Sequence, residues 1–141
     1  MSSLSMSTKF VPKGWGYERW IVNKEEYCGK LLFFSKDKCC SWHYHKLKDE
    51  TFYIHKGLIE LSYGWEDDIN HSDVIILKEG DTFHIPPGLK HQMYAFKDTE
   101  LFEFSIIKIL KSWFIESKHE YIFSSLLKVF ITIVRSFLDI V

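Results

Sequence analysis

Between residues 18 and 107 the chain breaks into short runs of alternating or dense apolar residues. They are ERWIV, GKLLFFS, CCSWHYH, ETFYIHKG, LIELSYGW, DVIIL, DTFHIPPG, KHQMYAF and ELFEFSII. Polar or turn-forming stretches separate them: NKEE, KDK, KLKD, EDDINHSD, KEG, PPGLK and KDT. Strands of about five to seven residues with turns roughly every ten predict an all-β sandwich or barrel. Gly57, Gly64, Gly80 and Pro86-Pro87-Gly88 fall at the ends of runs or between them, so they punctuate the strands rather than interrupt them. There is no internal repeat.

The pattern changes after Ser105. The stretch from Lys108 to Val141 contains neither Gly nor Pro. From Tyr121 onward, Ser124, Ser125, Lys128, Thr132, Arg135, Ser136 and Asp139 recur at steps that place them on one helical face. Ile122, Phe123, Leu126, Leu127, Phe130, Ile133, Val134, Phe137, Leu138 and Val141 fill the other face. The expected organisation is a flexible N-terminal tail over 1–13, a β-barrel over 14–106 and an amphipathic helical tail over 107–141. A transmembrane span is a poor reading of that tail. Lys128 and Arg135 would each cost about 2.5–3.5 kcal/mol in the hydrocarbon. A helix lying on a membrane surface is a second reading, although its polar face is not strongly basic; packing on the barrel or on a second subunit is the favoured one, and a native helix and a reading-frame artefact both stay open.

Composition narrows the function classes. The 141 residues are 46% hydrophobic and 17% aromatic, with a formal net charge of -1. No global field recruits nucleic acid or anionic lipid, and Arg19 and Arg135 are the only arginines. Cys28, Cys39 and Cys40 are odd in number and two are adjacent, which argues against a disulfide framework and for a reducing, cytoplasmic setting. The start, MSSLSMSTKF, lacks the apolar run of a secretory signal.

Candidate chemistry concentrates in SWHYHKLKDETFYIHKG, from Ser41 to Gly57. Along a strand, side chains two apart share a face, so His43 and His45 project together, about 7 Å apart. Glu50 follows the loop KLKD and reaches the same centre if the flanking strands pair. His91, just beyond the Pro-Pro-Gly turn, is the best candidate for a fourth ligand. Three imidazoles and one carboxylate suit one divalent transition metal, Fe, Mn, Ni, Zn or Co, with positions left open.

The two segments read H-x-H-x4-E-x6-G, from His43 to Gly57, and G-x5-P-x-G-x2-H, from Gly80 to His91. Together they resemble the paired motifs of the cupin superfamily. The resemblance implies a small antiparallel jelly-roll barrel over roughly 14–105, with the metal held inside by His43, His45, Glu50 and His91. GWGYERWIV near the start and LFEFS near the end are similar to the type II mannose-6-phosphate isomerase-like cupins. One departure is Ala95, where the second motif usually has Asn. Alternation puts Ala95 on the face of His91 and Met93 and predicts an apolar pocket wall there.

That resemblance implies aldose–ketose isomerisation of a sugar or sugar phosphate, the ion binding the sugar's C1 and C2 oxygens. Glu103 is the candidate catalytic base, although strand parity allows Phe102 and Phe104 inward instead. The alternatives are a non-catalytic sugar-binding module and a small Fe(II) dioxygenase. His55 and His71 read as outward or loop residues, and His84 as an ordinary strand position. Lys46, Lys48 and Lys90 read as a solvated rim that can also receive a phosphate. Tyr44 and Tyr53 alternate with the ligands and supply an outer face for a homodimer.

Overall fold

A computed structural model describes residues 5–107. The expected helix over 107–141 lies, from residue 108 on, outside the described residues. Nine strands follow one another: β1 (Lys9–Lys13), β2 (Gly16–Asn23), β3 (Cys28–Phe34), β4 (Lys48–Lys56), β5 (Leu58–Gly64), β6 (Asp73–Lys78), β7 (Thr82–Ile85), β8 (Lys90–Ala95) and β9 (Thr99–Ile107). A single 3-10 turn at Ile69–His71 is the only helical element among the described residues. None of their helices is long and apolar enough to cross a membrane. Six strands form one sheet in the order β1-β2-β3-β9-β4-β7, and three form a second in the order β6-β5-β8. Every strand pair is antiparallel, giving the all-β jelly roll that the run lengths predict.

Two runs differ from the sequence reading. Lys9–Lys13, expected within the flexible tail, form β1 and pair with β2 from Lys9↔Trp20 to Lys13↔Gly16. Phe10 packs against Tyr17 across that pair, with ring centroids 5.0 Å apart and the rings tilted by 37°. Three consecutive apolar residues between two lysines, Phe10-Val11-Pro12, show no alternation to register. The second difference is CCSWHYH, which is not a strand. It touches β8 through isolated bridges, Cys39↔Tyr94 and His43↔His91. β4, expected to pair with it, lies instead between β7 and β9.

The core fills the space between the sheets. Phe34, Phe52, Ile54, Ile85 and Leu101 come from the large sheet and Ile59, Leu61, Leu77 and Met93 from the small one, all buried. The inward faces are not uniform along their length. Period-two alternation puts Lys30, Leu32 and Phe34 on one face of β3, and Lys48, Glu50, Phe52 and Ile54 on one face of β4. Registers align these gradients: Lys30 lies opposite Glu103, Leu32 opposite Leu101, and Phe34 opposite Thr99. On β4, Glu50 lies opposite Ser105 and Ile54 opposite Leu101. One end of the barrel is therefore filled with hydrocarbon and the other lined with ionisable groups. A one-residue slip would turn both sets outward.

Gly57 makes the tight passage from β4 to β5. Its φ is +111°, and an added Cβ would lie 2.4 Å from Thr99 Oγ1 and 2.7 Å from the Asp98 carbonyl oxygen. The Thr99 hydroxyl accepts from Leu58 N–H and donates to the Lys97 carbonyl, so it has little room to move. Gly57→Ala is expected to cost roughly 2–4 kcal/mol from backbone strain and overpacking combined. An unchanged urea midpoint for that variant would contradict this.

Candidate metal centre and the family it belongs to

His43, His45 and His91 come together at the polar end. One ring nitrogen from each lies within 4.8 Å of the others. The chain reaches this arrangement through backbone pairing. His43 N–H donates to the His91 carbonyl at 3.2 Å, and His91 N–H donates back to His43 at 2.8 Å. Gly88 N–H, in the Pro-Pro-Gly turn, donates to the His45 carbonyl at 2.8 Å. The second motif thus grips the backbone of the first on either side of Tyr44. Glu50 arrives from the opposite sheet on β4. Its Oε2 lies 3.7 Å from both His45 Nε2 and His91 Nε2.

Ring orientation is also fixed. His43 Nδ1 lies 2.7 Å from the Ser41 carbonyl and His91 Nδ1 lies 3.2 Å from the Leu89 carbonyl. A carbonyl only accepts, so each Nδ1 carries a proton, and Nε2 is the nitrogen that can offer a lone pair to a metal. Burial, the largest cause, pushes His45 and His91 down to about 4. Lys48 and then His43 add to it at His45, and His43 at His91. Both rings are therefore neutral at pH 7, the state a metal requires. Glu50 is raised, chiefly by burial and then by the Glu103 charge, with Lys48 opposing both.

These directions fix a pH dependence. Below the usual histidine value of 6.5 the unfolded chain takes up protons that folded His45 and His91 refuse. Metal-free stability should therefore fall as pH drops from about 6.5 to about 4. Glu50, raised, works in the opposite sense. A chemical-denaturation series at closely spaced pH values checks this; stability rising toward pH 4 would contradict it.

Glu50 Oε2 is buried and accepts no hydrogen bond. An orphaned carboxylate oxygen costs free energy, and here it lies beside His45 and His91, which form one cluster with His43. This donor set fits one divalent transition metal. A cavity of about 240 Å³ opens from it, lined by Trp15, Lys30, Phe52, Met93 and Glu103 among others. A wider hollow of about 390 Å³ shares Lys30, His45 and Lys48 with it.

The remaining candidates fall as follows. Glu103 points inward and is 5% exposed, whereas Phe104 is 54% exposed, so parity resolves in favour of the carboxylate. Lys48 is not on the rim. It reaches into the cavity and pairs with both Glu50 and Glu103. Lys30 and Glu18, which the sequence reading did not single out, continue this chain of charges. Lys30 lies 3.6 Å from Glu103 and 3.7 Å from Glu18, and Lys13 lies 3.1 Å from Glu18. Their alternation with Leu32 and Phe34, and with Trp20, was the available signal. Ala95 does not line the cavity; it packs in the core at the apolar end, since its strand neighbours descend from His91 through Met93. Lys90 lies over the Tyr44 ring and pairs with Asp67. His55 and His71 are exposed, and His84 is an exposed strand residue 2.9 Å from Asp49.

No curated protein matches the chain. Solved structures do. An RmlC-like cupin from Shewanella frigidimarina NCIMB 400 is 17% identical with a TM-score of 0.62, over 77% of this chain and 92% of that one. KdgF from Halomonas sp. is 15% identical with a TM-score of 0.57, over 68% of this chain and 82% of that one. An oxalate decarboxylase variant from Bacillus subtilis is 22% identical with a TM-score of 0.61, over 71% of this chain and 27% of that one. At these identities the likeness is one of fold. The family model for the cupin domain matches residues 36–107, half of the chain, and spans both histidine segments: this chain belongs to the cupin family.

Proposed function

We propose that the chain is a metal-dependent cupin acting on a sugar or sugar phosphate, in the manner of an aldose–ketose isomerase. The observation that carries the reading is the orphaned Glu50 Oε2 beside His45 and His91, two members of a three-histidine cluster that lines a cavity. In this reading His43, His45, Glu50 and His91 hold the ion. A bound divalent cation polarises adjacent carbonyl and hydroxyl oxygens and lowers the cost of moving a proton between their carbons.

The chain's own residues supply the rest. Glu103 places a carboxylate in the same cavity, fixed by Lys48, Lys30 and the Ser105 hydroxyl, and takes and returns the proton. Phe52, Met93 and Trp15 exclude water from one side of the cavity. Tyr44 and Tyr53 belong to the outer surface in the same reading and offer a face for a homodimer. Manganese is a suitable probe ion, since the related fold of Bacillus subtilis oxalate decarboxylase has Mn(II) centres.

The test is turnover of hexose and pentose phosphates by metal-loaded protein, with and without chelator. Interconversion of an aldose phosphate and its ketose that stops on chelation is the expected result. Saturable binding without turnover would favour a sugar-binding module, a reading supported by the engagement of Glu103 with two lysines. Neither turnover nor binding across the panel would sink both. Oxygen uptake by Fe(II)-loaded protein would point instead to a dioxygenase.

A further inference from the structure

Lys48 is an unusual residue to find inside a barrel. Its side chain is half-buried, 21% exposed; an ammonium drawn partly out of water is favoured by pairing, and this one is paired twice. Its Nζ lies 2.5 Å from Glu50 Oε1 and also donates to Glu103 Oε1. Glu103 does not depend on Lys48, because Lys30 and the Ser105 hydroxyl also reach its Oε1. Glu50 is different. Lys48 is the one hydrogen-bond donor its carboxylate has among the described residues, and it serves one oxygen only. The two oxygens are thereby made unequal: Oε1 is held by a cation, and Oε2 is left bare toward His45 and His91.

A free carboxylate can hold a small cation with both oxygens. We infer that Lys48 is a positioning residue that restricts Glu50 to one oxygen at the metal, leaving a coordination position open for substrate. The inference rests on the metal reading above. It predicts the opposite of ordinary loss of function. Replacing Lys48 with a neutral residue removes a positive charge near the ion and releases Oε1 to join Oε2. Both changes strengthen metal binding, and the second closes a position that water or substrate would take. If Lys48 only neutralises buried charge, its removal changes stability and affinity but not the open positions.

The experiment uses Mn2+ alone with the full chain. Wild type, Lys48→Met and Lys48→Arg are titrated while free Mn2+ is followed by electron paramagnetic resonance. Exchangeable water on the bound ion is counted by proton relaxation. Lys48→Met should bind Mn2+ roughly tenfold more tightly and retain fewer exchangeable waters. Lys48→Arg, which keeps the charge and the donors, should retain the wild-type water count. Lys48→Ala, which leaves room for water beside both carboxylates, is the second neutral variant should the Met form not fold, and should shift the same way. Tighter binding with an unchanged water count is charge relief alone and overturns the inference, as does weaker binding. Failure of wild type to bind Mn2+ removes the metal reading itself and takes the inference with it.

Discussion

His91→Ala should lose metal binding while keeping a folded barrel. His91 is 1% exposed and belongs to β8, which pairs with β5 along its whole length. The backbone bonds between His43 and His91 are main-chain bonds and survive the substitution. What disappears is one imidazole of three, the ring that lies near Phe52 at 5.9 Å between centroids. Losing a residue that merely orients a ligand typically costs about 10–100-fold in affinity, and losing the ligand itself should cost more. The metal-free variant should unfold cooperatively, within a few kcal/mol of wild type, since a buried ring is removed without orphaning a partner beyond the Leu89 carbonyl. Calorimetric titration with Mn2+ and a thermal melt check both halves. Wild-type affinity in the variant would remove His91 from the site.

Glu103→Gln should separate metal binding from turnover. Gln keeps the shape of the side chain and still accepts from Lys48 and Ser105, so fold and metal content are expected to persist. It cannot take a proton. If Glu103 is the base, kcat should fall by about 10²–10⁴-fold, the usual worth of a positioned acid–base group, with KM changed far less. Steady-state kinetics on an aldose phosphate decides it. An unchanged kcat would leave Glu103 as part of the charge chain alone.

The strand-forming regions were legible because alternation is a direct imprint of a half-buried sheet. Glu50-Phe52-Ile54 and His91-Met93-Ala95 can be seen on paper, and the structure keeps both faces intact. The gathering of His43, His45 and His91 was legible for a related reason: two turn-punctuated segments each carry ligand spacing. Glu103 was readable only to within a parity choice, because Phe102 and Phe104 fit an inward face equally well by composition. What settled it is the register of β9 between β3 and β4, a long-range fact that no local pattern carries.

Lys48 was misplaced for a physical reason. A lysine in a loop of charged residues ordinarily keeps its ammonium in water. Here two carboxylates from β4 and β9 outweigh the burial that would otherwise lower its proton affinity, and the ammonium is raised above its usual range. Pairing across 55 residues of sequence is invisible until the sheet is closed. β1 was missed because its edge position asks little of its side chains. Phe10 is 57% exposed even within the strand. The irregular path of CCSWHYH was missed because it hangs on β8 by a few backbone bonds rather than a full ladder.

The central claim is that one divalent metal sits where the two histidine-bearing motifs meet, with Glu50 reaching it from the large sheet. Anomalous X-ray scattering from crystals grown with Mn2+ tests it most directly. The expected result is one peak per chain within coordinating distance of His43, His45, His91 and Glu50. No peak there, or a peak elsewhere on the barrel, would contradict it.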